Sequence, residues 1–85
     1  MKDKELLMEV LTENECLLVD GYDDALIGVT DGGNPVAVYD VDLCIKSLMK
    51  QDDMDELEAV DFFYYNTLGS YVGEKTPIFI NTYNI

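Results

Sequence analysis

The sequence predicts an α+β fold: a small, largely antiparallel sheet of three to four strands packed against two to three helices. Three observations predict it. Apolar residues recur at helical spacing in three stretches, two apolar runs flank a five-residue turn, and a last apolar run follows Pro77 near the C-terminus. With 85 residues, 48% of them apolar, the chain reads as one domain over 1–85, near the small end of what buries a core unaided. Six Tyr, three Phe and blocks such as Ala25-Leu26-Ile27-Gly28-Val29 separate it from disordered acidic chains, which are poor in such residues.

The elements follow in order. Over residues 3–13, Leu6, Leu7, Val10 and Leu11 form one amphipathic stripe, with Asp3 as N-cap and acidic residues in the first turn. So short a helix does not persist alone and has to dock. Cys16 to Val19 is an apolar run that fits a short strand or a buried extended segment. Ala25–Thr30 and Val36–Tyr39 read as two strands of a hairpin around Asp31-Gly32-Gly33-Asn34-Pro35, because Gly supplies positive φ and Pro cannot donate to a ladder. Both strands are apolar at nearly every position, so both faces of the sheet are expected to be partly covered.

Asp40 is expected to cap a helix carrying Val41, Cys44, Ile45, Leu48 and Met49 on its inner face, with Lys46 and Lys50 outward near its C-terminal end. After a polar break at 51–54, Asp55 and Glu58 have the spacing of a capping box. Leu57, Val60, Phe63 or Tyr64, and Leu68 continue the buried face of the helix they open, Gly69 or Gly73 ends it, and Thr76-Pro77 leads into a strand from Ile78 to about Thr82.

Charge restricts function. Eighteen carboxylates face five lysines, with no arginine and no histidine, for a formal net charge of −13. Such a chain repels nucleic acid and anionic lipid, so the expected partner is a protein with a basic or apolar surface, without direct nucleic-acid or membrane contact. No run approaches the roughly 20 apolar residues of a membrane span. Charges at Lys2, Lys4, Glu5 and Glu9 interrupt the N-terminal apolar residues, so no secretory signal is expected and the cytoplasm is the expected compartment. Cys16 and Cys44 sit in apolar company and read as buried free thiols, with a single bridge between them as the alternative.

Catalytic chemistry finds few tools. Without His no side chain titrates near neutrality unperturbed, and without Arg there is no bidentate anion clamp. Apolar surroundings and an anionic field raise a thiol pKa, which argues against a Cys nucleophile. The glycines match neither Walker nor dinucleotide spacing. Two Cys without His do not make the usual zinc site, and no cofactor is expected. Asp20, Asp23 and Asp24 around Gly21-Tyr22 form the one candidate site for a hard cation; the competing reading is a turn built on Gly21.

Two features suggest an interface. At about 100° per residue, Phe62-Phe63-Tyr64-Tyr65 spans most of a helix circumference, so at least one ring faces sideways or outward; Tyr71 and Tyr83 extend the patch. Beside it, Asp52, Asp53, Asp55, Glu56, Glu58 and Asp61 place six carboxylates in ten positions, a density that can imitate part of a nucleic-acid backbone. Acidic residues also favour helix N-termini on their own account. The candidate protein interface is therefore Phe62, Tyr65, Tyr71, Asp52, Asp53, Glu56 and Asp61.

The stretches Asp20-Gly21-Tyr22-Asp23-Asp24-Ala25-Leu26-Ile27-Gly28-Val29, Val36-Ala37-Val38-Tyr39-Asp40 and Glu58 to Phe79 resemble a family of small uncharacterised proteins encoded by bacteriophages. The resemblance covers roughly residues 17 to 80 and is most specific from Asn66 to Pro77. It implies a viral origin and an intracellular role during infection, and it carries no catalytic residues over. The expected function is that of a non-catalytic accessory protein that binds or inhibits a host or defence macromolecule by presenting charge in the manner of nucleic acid. The alternatives are a self-assembling module, such as a homodimer, and a carboxylate-metal enzyme using Asp20, Asp23 and Asp24.

Overall fold

A computed structural model of the chain describes residues 3–67 and 73–84. Asp3 accepts the Leu6 N–H at 2.9 Å and caps helix α1, Lys4–Glu13. Leu11 is its one fully buried side chain, Leu7 and Val10 are half-buried, and Leu6 is exposed. The helix stops at Asn14, whose side chain donates to the Val10 carbonyl at 2.8 Å, and Glu15 turns the chain with φ 53°. Residues 16–19 then run without regular secondary structure and do not join the sheet, and Val19 enters the core.

A single 3-10 turn, Asp23–Ala25, leads into β1, Leu26–Val29, which pairs antiparallel with β2, Ala37–Asp40. The two strands form the expected hairpin. Thr30 closes it twice, by its N–H to the Val36 carbonyl at 3.0 Å and by its hydroxyl, which accepts the Val36 N–H at 2.9 Å. Leu26 faces Tyr39 but Gly28 faces Val38, so Ile27 is a bulged residue. That bulge explains a departure from expectation: β2 is covered on both faces, whereas Ile27 points largely into solvent.

Asp40 ends β2 and starts α2, Val41–Gln51. One of its carboxylate oxygens accepts the Leu43 N–H at 2.9 Å and the other accepts the Thr82 hydroxyl at 2.7 Å, although the residue is buried. The inner face of α2 carries Val41, Cys44, Ser47 and Leu48, with Ile45 and Met49 half-buried. Asp53, with φ 52°, reverses the chain into α3, Glu56–Phe62, which Asp55 caps by accepting the Glu58 N–H at 2.8 Å.

The last strand, β3, Ile78–Ile80, lies beside β2 on the side away from β1 and runs parallel to it. The sheet is thus mixed, with order β1-β2-β3, one antiparallel and one parallel pairing. Parallel neighbours need a long crossover, and α2, α3 and the segment after them supply it. A β3 that is an edge strand with Ile78 and Ile80 exposed is shorter than the 78–82 run expected.

The core joins all these elements. Leu11, Val19, Tyr22, Ala25, Leu26, Ala37, Tyr39, Val41, Cys44, Leu48, Ala59 and Phe63 form one buried cluster. Tyr39 on the central strand stacks on Phe79 at 5.6 Å between ring centres, and its hydroxyl accepts the Val19 N–H at 2.9 Å. A phenol thereby satisfies a main-chain donor that the 16–19 segment would otherwise bury unpaired.

Candidate functional site

Of the candidate interface residues, Glu56, Asp61 and Phe62 lie on α3, Tyr65 in the turn that continues it, and Asp52 and Asp53 in the break before it. Ala59 and Phe63 are fully buried and Thr67 nearly so; this spacing of four defines the inward face. Phe63 meets Tyr22 edge-on at 6.2 Å and Phe79 at 5.4 Å, which locks the roll of the helix. From Phe63 to Thr67 the helix widens into a π-helical turn, anchored by a 2.8 Å hydrogen bond between the Tyr22 and Thr67 hydroxyls.

That roll corrects the expected face. Leu57, read as buried, is 72% exposed, because the small Ala59 and the large Phe63 take the core positions instead. Leu57, Asp61 and Tyr65 recur at intervals of four on the outside, with Tyr65 87% exposed. Of the alternatives Phe63 and Tyr64, Phe63 takes the buried position and Tyr64 is exposed. Asp52, Asp53, Glu56, Glu58 and Asp61 all stand in solvent around this face. Leu68, Gly69 and the candidate interface residue Tyr71 lie outside the described residues, whereas Tyr83 is exposed.

Phe62, only 39% exposed, turns to one side of the helix and walls a hollow of about 270 Å³. Asp52 lines the same hollow from the end of α2, and Asp20 from the loop before the 3-10 turn. Gly21, at φ +89°, shapes that loop in a conformation a side chain would strain, and the Gln51 amide donates to its carbonyl at 2.9 Å. The loop is therefore clamped to α2. Ser47 forms part of the lining from the inner face of α2.

Asp20, Asp23 and Asp24 do not come together as a metal site. Among the described residues no group of three or more His, Cys, Asp or Glu side chains could hold a metal ion. Asp23 and Asp24 occupy the exposed 3-10 turn, where the Asp23 carbonyl accepts from the Lys4 ammonium, while Asp20 faces the hollow. Lys4 also reaches the Leu26 carbonyl at 3.2 Å, and Lys75 the Pro35 carbonyl at 3.0 Å, so these two lysines spend their charge on main-chain oxygens. A second hollow of about 620 Å³ between α1 and β1, lined by Leu6, Leu7, Val10 and Ile27, holds none of the predicted site residues.

Both cysteines are free thiols. Burial first, and the Asp40 carboxylate second, push the Cys44 thiol up to about 12, so it stays protonated at neutral pH. Cys16 is half-buried and donates to the Pro35 carbonyl at 3.3 Å, which ties the 16–19 segment to the hairpin turn.

What this arrangement can do chemically is offer carboxylates and exposed rings to a cationic, partly apolar surface. Phe62, Asp52 and the outward Tyr65 are residues that the sequence pattern marks as candidates, whereas Ser47 and Gln51 beside the hollow and the outward Leu57 are not. Ser47 carried a signal: it is a hydroxyl on the otherwise apolar stripe of α2, one turn from Cys44. No protein-family model, no curated protein and no solved structure matches this chain. Among the described residues no helix is long and apolar enough to cross a membrane.

Proposed function

We propose that the chain is a non-catalytic binding protein, of bacteriophage origin and acting in the host cytoplasm, that occupies the basic surface of a host or defence macromolecule in place of nucleic acid. One observation carries the reading. Leu57 and Tyr65, 72% and 87% exposed, stand on a single helix face bordered by Asp52, Asp53, Glu56, Glu58 and Asp61. Apolar anchors ringed by charge of one sign suit a partner surface that is apolar at its centre and basic at its rim. The net charge of −13 adds long-range attraction for such a surface.

The test is retention of bacterial lysate proteins on the immobilised chain. Basic proteins should bind at about 50 mM salt, leave as the salt approaches about 500 mM, and be displaced by duplex DNA. A Tyr65→Asp variant should retain less. Retention that responds to neither salt nor DNA, or no specific retention, removes this reading.

The same exposed rings favour a second reading, self-association through the α3 face. High salt screens the repulsion between two acidic copies, so a dimer should strengthen with salt while a complex with a basic partner weakens. Light scattering on the wild type and on Tyr65→Asp separates the two, and a monomer in both at high salt eliminates the dimer.

A further inference from the structure

Two carboxylates line the hollow beside α3. It lies against the last turn of α2, at the negative end of that helix dipole, which favours positive charge. Asp20 and Asp52 line it from opposite elements, and no lysine does among the described residues. Ser47 lines it too. That residue is only 7% exposed, and its hydroxyl makes no hydrogen bond with any described residue. Its hydroxyl is not cut off from solvent, so a donor or acceptor entering the hollow can bond to it without moving the helix.

The shape narrows the occupant. About 270 Å³ falls below the roughly 300–1,000 Å³ of small-molecule and cofactor pockets, and suits a single long side chain. Val19, Leu48 and Phe62 offer an apolar wall for an alkyl stem, and the Phe62 ring offers a face for a planar cation. Two clamps hold the walls before anything binds: Gln51 to the Gly21 carbonyl at 2.9 Å, and Tyr22 to Thr67 at 2.8 Å. Phe62 belongs both to this wall and to α3, so a partner seated on the outer face of α3 reaches the hollow directly.

We infer that this hollow is a socket for an arginine side chain of the basic partner. Its guanidinium donates to the Asp20 and Asp52 carboxylates and to the Ser47 hydroxyl, and its stem lies along Phe62. A guanidinium fits better than an ammonium because its planar fork donates in several directions at once and stacks on an aromatic ring. The inference rests on the binding function proposed above, and it adds the chemistry of one anchor.

Nuclear magnetic resonance titration of the full chain tests it with N-acetylarginine methylamide and its neutral isostere N-acetylcitrulline methylamide. The arginine probe should give saturable shifts centred on the amides of Ser47, Gln51, Asp52 and Phe62. Its affinity should fall about tenfold or more in an Asp20→Asn, Asp52→Asn double variant, which removes two charged acceptors from exposed positions without disturbing the core. Equal shifts from citrulline, or arginine shifts spread over the acidic surface without saturation, overturn the socket.

Two further arms identify the source of the cation. A peptide with one arginine between leucines should bind more tightly than agmatine, and lose that advantage in Tyr65→Ala; agmatine binding equally well would overturn the assignment to a partner side chain. If basic proteins are still retained through Tyr65 while the hollow stays silent, the socket is wrong and the binding function stands. If neither responds, both fall.

Discussion

Cys44 shows how far one residue's chemistry is set by its neighbours. It is fully buried on the inner face of α2, one turn after Asp40, whose carboxylate is held in place by Leu43 and Thr82. Ionising the thiol there means placing a second negative charge in a dry site near the first, and the pKa rises from 9.0 to about 12. The sign for stability follows from linkage. The unfolded chain loses this proton at lower pH than the folded one, so the contribution is complete below about pH 9 and declines as pH rises towards 12. The slope from this one group is at most about 1.4 kcal/mol per pH unit. The measurement is a difference, so that contributions shared by the two proteins cancel: urea unfolding of wild type and Cys44→Ala at about pH 7.5 and about pH 10.5. Wild type should lose more stability between the two pH values than Cys44→Ala loses, and parallel losses would mean the thiol ionises freely in the fold.

At the scale of elements, helix starts were legible because a cap is a local device. Asp3, Asp40 and Asp55 each accept the N–H three residues ahead, as their spacing implied. The hairpin was legible for the same reason, since five turn formers between two apolar runs leave little choice. The parallel pairing of β3 was not, because it depends on where two helices and the segment after them return the chain. The inner face of α3 was misread at Leu57: in a seven-residue helix, apolarity alone does not choose among Leu57, Ala59 and Phe63, and contacts with Tyr22 and Phe79 decide. The hollow joins Asp20, Ser47, Asp52 and Phe62, so no local pattern marked it.

The caps also differ in what they hold. Asp55 is exposed and serves its own helix, so Asp55→Ala should cost about 0.5–2 kcal/mol. Asp40 is buried and ties the start of α2 to Thr82 beyond β3, so Asp40→Ala should lose that capping contribution and a further 1–3 kcal/mol or so for the partners left unpaired. Chemical denaturation of the two variants measures the gap, and hydrogen exchange should speed up in β3, Ile78–Ile80, in Asp40→Ala alone. Equal costs would show that the Thr82 bond contributes nothing to holding the C-terminal strand.

Across the whole molecule, charge acts in opposite directions on folding and on binding. Folding gathers eighteen carboxylates with only five lysines, and the contacts of Lys4 and Lys75 go to main-chain oxygens rather than to carboxylates. Compaction therefore works against self-repulsion that the extended chain relieves. Raising salt from about 10 mM to 150 mM shortens the Debye length from about 30 Å to about 8 Å, which screens repulsion between distant surface carboxylates but leaves core packing unchanged. The thermal midpoint should consequently rise with sodium chloride over this range, most steeply at its low end. A basic partner should bind less tightly over the same range, since the attraction that draws it in is screened by the same ions. The paired measurement, calorimetry on the free chain and binding to an immobilised basic partner across one salt series, separates a charge that serves recognition from one that only keeps the chain dispersed. Stabilisation and weakened binding together mean the acidic surface is held against the interest of the fold for the sake of a partner. Stabilisation with salt-independent binding would assign affinity to Leu57 and Tyr65 alone and leave the carboxylates to solubility.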